Sequence, residues 1–502
     1  MKKFYYLVAG VLSMGMLASC SNEDEIAAGN ENGQQANAYL QLTLTGADNM
    51  GSRTQVPEQP GSEGESQIVN ARVLAYNAAG TQVINQLVSN LESADNGTLQ
   101  TQPIGIDPGT YTVYVIANPG NYNPGTGALA TSITGATISS IDENAMTTGN
   151  GYATDTHFIM FNACNGTDDT AGATITVAET NDYDNPATSE APIKLDRLAA
   201  KITYAVSPSL DITGATAQLD GLTAVNFEGF KLLNANTATY LQQHWTKEAP
   251  VSPTTTTDID NMLITPSSAT FYHQWSEYNT ITKNGDEYEE VTDDVQGETF
   301  TTSALFCMEN NTGAGTDGTG TNYLQGNTTG VLYKAHATVT GSDNYGGSGC
   351  FYGYNGEYFA TLAAIQTKYS GVFNAATGTT PQEKLAAAQS ELQACVAGTA
   401  GASVSDFRVK YSIRVYQNGV MYYTHYITDQ NYVNEDDEHY HAIMRNTIYG
   451  LTVTSVKNIG DDVPGGWNPD VDPEDPIEVP TYLAVQCEVN PWVLSNYDVT
   501  LQ

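Results

Sequence analysis

Residues 39–45 read Tyr-Leu-Gln-Leu-Thr-Leu-Thr, apolar and polar in alternation. Successive side chains of an extended chain point to opposite faces. Leu40, Leu42 and Leu44 therefore share one face of a strand, and Tyr39, Gln41 and Thr43 the other. The same period returns in residues 110–117 (TYTVYVIA), which end at Asn118-Pro119-Gly120, a strong stop. Residues 68–86 hold two strands around a turn at Gly80. Residues 193–206, 229–233, 300–308, 331–340, 448–456 and 482–489 continue the series. In residues 407–427 two β-rich arms flank Asn418-Gly419, the pair a type I′ hairpin turn prefers. The 31 tyrosines and the many Thr and Val suit strands. The fold class is all-β, with strands and turns in each half that suit β-sandwiches.

Helix signals are few. Thr380-Pro381-Gln382-Glu383 is a capping box with Pro at the first helical position, opening an alanine-rich run. Residues 357–370 are a second candidate, and both fall in one small helical insertion of the second half. The polar stretches 140–190 and 246–296 are expected as surface loops, and no short-period repeat is present.

The amino terminus, MKKFYYLVAGVLSMGMLASC, has a basic start at Lys2 and Lys3, then an apolar stretch too short for a spanning helix. Leu17-Ala18-Ser19-Cys20 resembles a bacterial lipobox, which would make residues 1–20 a lipoprotein signal peptide and Cys20 the lipidated residue. The acidic residues after it resemble an export signal to the outer face of an outer membrane. Residues 21–37, rich in Asn, Glu, Gly and Gln, read as a flexible tether.

The 502 residues carry 18 Lys+Arg against 56 Asp+Glu, a formal net charge of −38. Without Lys2 and Lys3 the exported part keeps 16 basic against 56 acidic residues, a net of −40. That balance argues against nucleic acid and against anionic lipid surfaces. Only 15% of residues are charged and 40% are hydrophobic, so the chain is globular and not an acidic tail.

The five further cysteines (Cys164, Cys307, Cys350, Cys395 and Cys487) are too widely spaced for a disulfide framework or a metal set. Cys307 and Cys487 lie in apolar runs and read as small core residues; Cys350 and Cys395 are free to pair or not. His439 and His441 would share one face of a strand. Their candidate co-ligands Asp436, Asp437 and Glu438 lie in one loop, so a solvated loop end is the better reading. The Asp470–Asp475 cluster lacks the glycine and spacing of a calcium loop. No nucleotide, metalloprotease or hydrolase motif stands in the sequence, and no carboxylate pair is singled out. The reading is therefore no enzyme, no cofactor and no metal.

Two features remain. Arg53 is the only basic residue between Cys20 and Ala71, and its loop of small polar residues is a site of easy proteolysis. Residues 460–476 combine Pro with same-sign charge, which keeps a chain extended. On this reading they hold the last residues away from the body on a stiff leash.

Arg445-Asn446-Thr447-Ile448-Tyr449, Lys457-Asn458-Ile459-Gly460, and residues 482–485 and 489–498 past the acidic linker closely resemble the shaft subunit of the short (minor) fimbriae of Bacteroidales. That family belongs to the fimbrillin superfamily of type V pilins. Tyr240-Leu241-Gln242-Gln243 and Lys194–Lys201 (KLDRLAAK) look like further family segments. The resemblance implies two transthyretin-like β-sandwich domains in tandem. It also implies an outer-membrane lipoprotein precursor, cut between Arg53 and Thr54 by an Arg-specific protease. Loss of the strand carrying Leu40, Leu42 and Leu44 would open a groove for a neighbour's C-terminal segment, producing a head-to-tail filament of identical subunits on the cell surface.

The domain reading is a propeptide at 21–53, an N-terminal domain at 54–192 and a C-terminal domain at 193–460. An acidic linker follows at 461–480, and a donor-strand segment at 481–502. In the tail Val493, Ser495, Tyr497, Val499 and Leu501 share one mostly apolar face suited to replace the departing leucines. Tip or accessory fimbrial proteins and an anchor protein are the implied further partners, with adhesion or biofilm formation as the role. The alternative is a tip or accessory fimbrillin, or a lipid-anchored surface glycan-binding protein.

Overall fold

The computed structural model describes residues 37–46, 59–60, 63–94, 97–120, 122–127, 133, 137–139, 157–164, 171–246, 262–266, 271–272, 281–284, 287–290, 300–311, 323–399, 401–429, 440–464, 474–477 and 482–493. Strands dominate. In the first half they are β1 (Ala38–Leu40), β2 (Thr43–Gly46), β3 (Gln59–Pro60), β4 (Ala71–Asn77), β5 (Gln82–Val88), β6 (Glu92–Ser93) and β7 (Leu99–Gln100). They continue as β8 (Ile104–Ile106), β9 (Gly109–Ala117), β10 (Thr137–Ser139), β11 (Met160–Asn162), β12 (Ala173–Val177) and β13 (Ile193–Arg197).

Nine of these form one sheet in the order β5-β4-β9-β11-β13-β2-β7-β6, with β12 paired to β9. β4 lies inside it between β5 and β9, and Ala71–Tyr76 are buried throughout, as a strand covered on both faces requires. The stretch 140–190, expected as loop, supplies β11 and β12 with Met160, Phe161, Ile175 and Val177 in the core. Polar residues between these short apolar runs hid them.

Residues 193–206 are two strands, not one. β13 completes the first sheet, the chain bends at Leu198, and β14 (Ala199–Asp211) enters a second body. The passage between bodies therefore lies at 197–199 and not at 192. In the second body β14 sits between Leu305–Met308 and Thr447–Val456. Leu483–Val493 follows, then β3 at the edge. Facing it are β15 (Leu222–Leu233), Gly330–Val339 and Val420–Tyr426. Ile202, Tyr449, Leu451, Cys487 and Val489 from one sheet share a core with Phe230, Val331, Tyr333 and Tyr423 from the other.

The helical insertion packs its own core on a small sheet that includes Ser348–Tyr354 and Arg414–Gln417. Helix Pro381–Val396 begins at the expected capping box: Thr380 accepts from the Glu383 N–H while Glu383 reaches back to the Thr380 N–H. The second candidate splits into strand Glu357–Phe359 and helix Leu362–Lys368. Asn418 and Gly419 both take positive φ (55° and 68°), as the turn chemistry requires. Its two arms nevertheless join different sheets, and residues 404–411 form a helix capped by Ser403, not a strand.

The acidic stretch after Gly460 is pinned in its described parts and is not a free leash there. Asp462 pairs with Arg408 at 2.7 Å, Asp461 pairs with Arg414 at 3.1 Å, and Pro476 bridges Leu324. Beyond it, Leu483–Val493 runs antiparallel along Thr447–Val456 in the same body, from Leu483 opposite Val456 to Pro491 opposite Thr447. The segment 481–502 is thus not one detached unit: buried Leu483, Cys487 and Val489 tie its first part into the core.

Candidate functional site

The alternation that opened the sequence forms a strand held on both sides. Ala38, Leu40, Leu42 and Leu44 are at most 1% exposed, while Tyr39, Gln41 and Thr43 are half-buried. Ala38 lies opposite Ile106 and Leu40 opposite Ile104 on β8. On the other flank the Tyr39 N–H donates to the Asn181 carbonyl (2.9 Å), the Ala187 N–H to the Tyr39 carbonyl (2.9 Å), and the Gln41 N–H to the Ala187 carbonyl (2.8 Å). The Thr101 N–H reaches the Leu42 carbonyl at 3.0 Å, and its hydroxyl accepts from the Leu42 N–H at 3.1 Å. β2 then lies parallel to β13 (Leu44 opposite Ile193) and antiparallel to β7. Outside, the Tyr39 ring stands edge-on to exposed Tyr183, centroids 5.5 Å apart.

Taking this strand out would strip two ladders and leave four apolar pockets facing water. Each of the three leucines is worth about 1.5–3 kcal/mol of burial, and Ala38 less. An emptied slot of that kind is a template for another extended chain.

The second element is the edge of the C-terminal sheet. Gln59 and Pro60 of β3 run parallel to Trp492 and Val493. Val493 therefore ends a strand of its own body. Cys20, Arg53, Thr54, Tyr497, Val499 and Leu501 lie outside the described residues.

His441 is not at a solvated loop end. It is buried, its ring within 3.0 Å of the Ile427 carbonyl and edge-on to Tyr323, and burial lowers its pKa. His439 and its neighbouring carboxylates lie outside the described residues. Among the described residues no group of His, Cys, Asp and Glu could hold a metal, and no helix is long and apolar enough to cross a membrane. Cys164, Cys307, Cys350, Cys395 and Cys487 are all buried thiols, so Cys350 and Cys395 do not form a disulfide.

Two family models match the chain. One, "Major fimbrial subunit protein (FimA)", covers residues 38–197; the other, "Major fimbrial subunit protein type IV, Fimbrillin, C-terminal", covers 414–498. The first begins where β1 begins and ends where β13 ends. Both matching models describe fimbrial subunit proteins. No curated protein matches it by sequence. Among solved structures it is similar to a fimbrillin (FimA) of Porphyromonas gingivalis, with 15% identity and a TM-score of 0.44 over 92% of this chain and 99% of that one. It is also similar to the tip fimbrial protein of Porphyromonas gingivalis with C-terminal truncation. There the identity is 11% and the TM-score 0.36, over 91% and 99% of the chains.

The fimbrillin segments singled out in the sequence meet at the passage between the two bodies. Arg445 pairs with Glu309 at 2.7 Å, both side chains 2% exposed, and also donates to the carbonyls of Leu241 and Tyr240. Arg197 donates to the Glu65 carbonyl (2.9 Å) and to Asn446 (3.0 Å), and Asn446 donates to Asp196 at 2.8 Å. Burial pushes the Asp196 carboxyl up to about 7, against the opposing pull of Arg445, and pushes Arg197 down to about 9. Segments 194–201, 240–243 and 445–449 thus form one hydrogen-bonded joint. Glu309 and Glu65 complete it; neither carries a sequence signal, since each meets its partner only through long-range folding.

Proposed function

We propose that this chain is a polymerising shaft subunit of a cell-surface fimbria, exported as a precursor lipidated at Cys20 and matured by a cut between Arg53 and Thr54. The cut releases residues up to 53, and with them the strand 38–46. A neighbour's C-terminal tail then fills the slot. On this reading the two bodies are tandem transthyretin-like sandwiches, tip and anchor proteins occupy the filament ends, and the role is adhesion and not catalysis.

One observation carries the reading: the first strand is a separable, doubly laddered insert whose inward side chains run small-large-large-large. The tail reproduces that order. Aligned in the same direction, Ser495, Tyr497, Val499 and Leu501 fall on Ala38, Leu40, Leu42 and Leu44, with Thr500 on Thr43 and Gln502 on Thr45. Reversing the direction puts Leu501 in the Ala38 pocket and Ser495 in that of Leu44. Sliding two residues either way puts Tyr497 or Val493 against the Ala38 site, and Val493 already belongs to its own sheet. The donor segment is therefore 495–502, shorter than the tail as a whole.

Subunits cut after Arg53 keep 15 basic against 51 acidic residues, a net of −36, and repel each other, so strand insertion must supply the holding force. Head-to-tail insertion that does not close gives a filament. The experiment is to treat lipid-free precursor with an Arg-specific protease and look for SDS-resistant ladders. Ladders that depend on Arg53 and vanish on deletion of 495–502 are expected. Ladders that survive that deletion, or clean cleavage yielding only monomers, contradict the proposal.

A further inference from the structure

We infer that residues 59–60 and 63–66 are the two holds of a strap between the two bodies that guards the outer edge of the terminal strand, and that the cut at Arg53 loosens it. This rests on the maturation reading above. At one end, Gln59 and Pro60 pair with Trp492 and Val493. At the other, a helical turn (Glu63–Ser66) places the Glu65 carboxylate 2.7 and 2.9 Å from Lys201 Nζ on β14, and the Glu65 carbonyl 2.9 Å from Arg197 Nε. Ser66 is buried beside the same guanidinium. The following residues are fixed to the first body, where the Asn118 amide holds the Gln67 carbonyl (2.9 Å) and the Val69 N–H (2.9 Å).

In sheet order β3 is the outermost strand, beyond Leu483–Val493. An uncovered edge there would offer unpaired backbone groups at the root of the C-terminal tail. The guard is weak by itself: two residues long, with Pro60 supplying no N–H. It holds because the chain is fixed on both sides, upstream by β2 in the first sheet and downstream by Glu65. Arg53 lies between β2 and β3, so cleavage removes the upstream tether and leaves only the downstream anchors, of which Glu65 is the first. Losing one of two tethers lowers the effective concentration of the guard at its edge. One cut then has two effects: it empties the slot of the first body and frees the root of the tail on the second.

The test is hydrogen–deuterium exchange on the lipid-free full-length precursor. A specific protease site is built between Ser52 and Gln55, and samples are kept dilute enough to stay monomeric. After the cut, amides of 59–66 and 490–493 should exchange faster by roughly tenfold, while 447–453 stay protected. Lys201→Met should raise exchange in the same two segments without any cut, and Lys201→Arg should keep it near the parent value. Unchanged exchange at 490–493 after a verified cut overturns the strap, as does parent-like exchange in folded Lys201→Met. Ladder formation with no change in exchange would leave strand insertion standing and remove only the strap.

Discussion

Arg445 and Glu309 show how much a single buried pair can hold. Their charges are out of water, and the guanidinium also ties down two carbonyls of the 238–243 segment. Removing one partner strands the other, so Arg445→Met should cost about 3–5 kcal/mol in denaturant unfolding. The double variant Arg445→Met, Glu309→Leu should recover part of that loss; a double variant worse than the sum of the singles would contradict the pairing account.

Asp196 sets a pH dependence. Unfolded, it releases its proton near the ordinary value of 3.8; folded, only near 7. Between the two the folded state holds a proton that the unfolded state has lost. Its contribution is therefore complete below about pH 4 and lost as pH rises through about 7. Asp196→Asn should flatten this part of the stability profile in unfolding titrations across that window. An unchanged slope would assign the dependence to other groups. Asp461, raised by burial to about 6, acts in the same direction.

At the scale of elements, local chemistry was legible and long-range pairing was not. The capping box at Thr380 fixed the start of a helix because all of its bonds lie within one turn. Thr380→Ala should cost about 1 kcal/mol and lower the melting temperature accordingly. The Asn418-Gly419 turn was equally readable, since both residues must accept positive φ. The sheets its arms join depend on residues 330–336 and 350–353, which the turn cannot specify. Residues 407–411 alternate like a strand, yet Phe407, Arg408 and Tyr411 are buried at helical spacing. The missed signal was Ser403, whose hydroxyl caps the Asp406 N–H at 3.0 Å.

The leucine face of 40–44 could be read directly because period two has one interpretation in a strand. That the segment would be laddered on both sides could not. Its partners Ala187, Thr101 and Ile104 are scattered along the chain. Leu42→Ala should destabilise the precursor by about 2–5 kcal/mol. The same substitution should leave the cut subunit, freed of residues up to 53, as stable as its parent. Equal losses before and after the cut would mean that the strand never leaves.

For the whole molecule, strong acidity, buried thiols and two bodies joined through a buried, hydrogen-bonded polar network are the leading features. The sequence alone pointed to the tail as a donor and treated the acidic linker as its leash. Folding changes that division: Asp461 and Asp462 are paired with arginines and the strand to Val493 pairs within its own body, so the proposed donor is confined to residues beyond it. Val493, expected in the donor strand, ends a strand of its own body here, because an apolar alternating run looks the same whether it pairs within its own chain or with another.

The most direct measurement of strand exchange uses one engineered thiol on each of two subunits. Tyr39 lies opposite Gly105 in the precursor, so the aligned donor puts Asn496 there. Gly105→Cys in a tail-deleted subunit is mixed after cleavage with a subunit carrying Leu494→Cys, Asn496→Cys, Asp498→Cys or Thr500→Cys, and oxidised mildly. The account predicts a disulfide-linked dimer that is strongest with Asn496→Cys and absent without cleavage. A dimer strongest with Thr500→Cys would mean a reversed donor. Ladders with no cross-link from any of the four would mean that something other than the tail fills the slot.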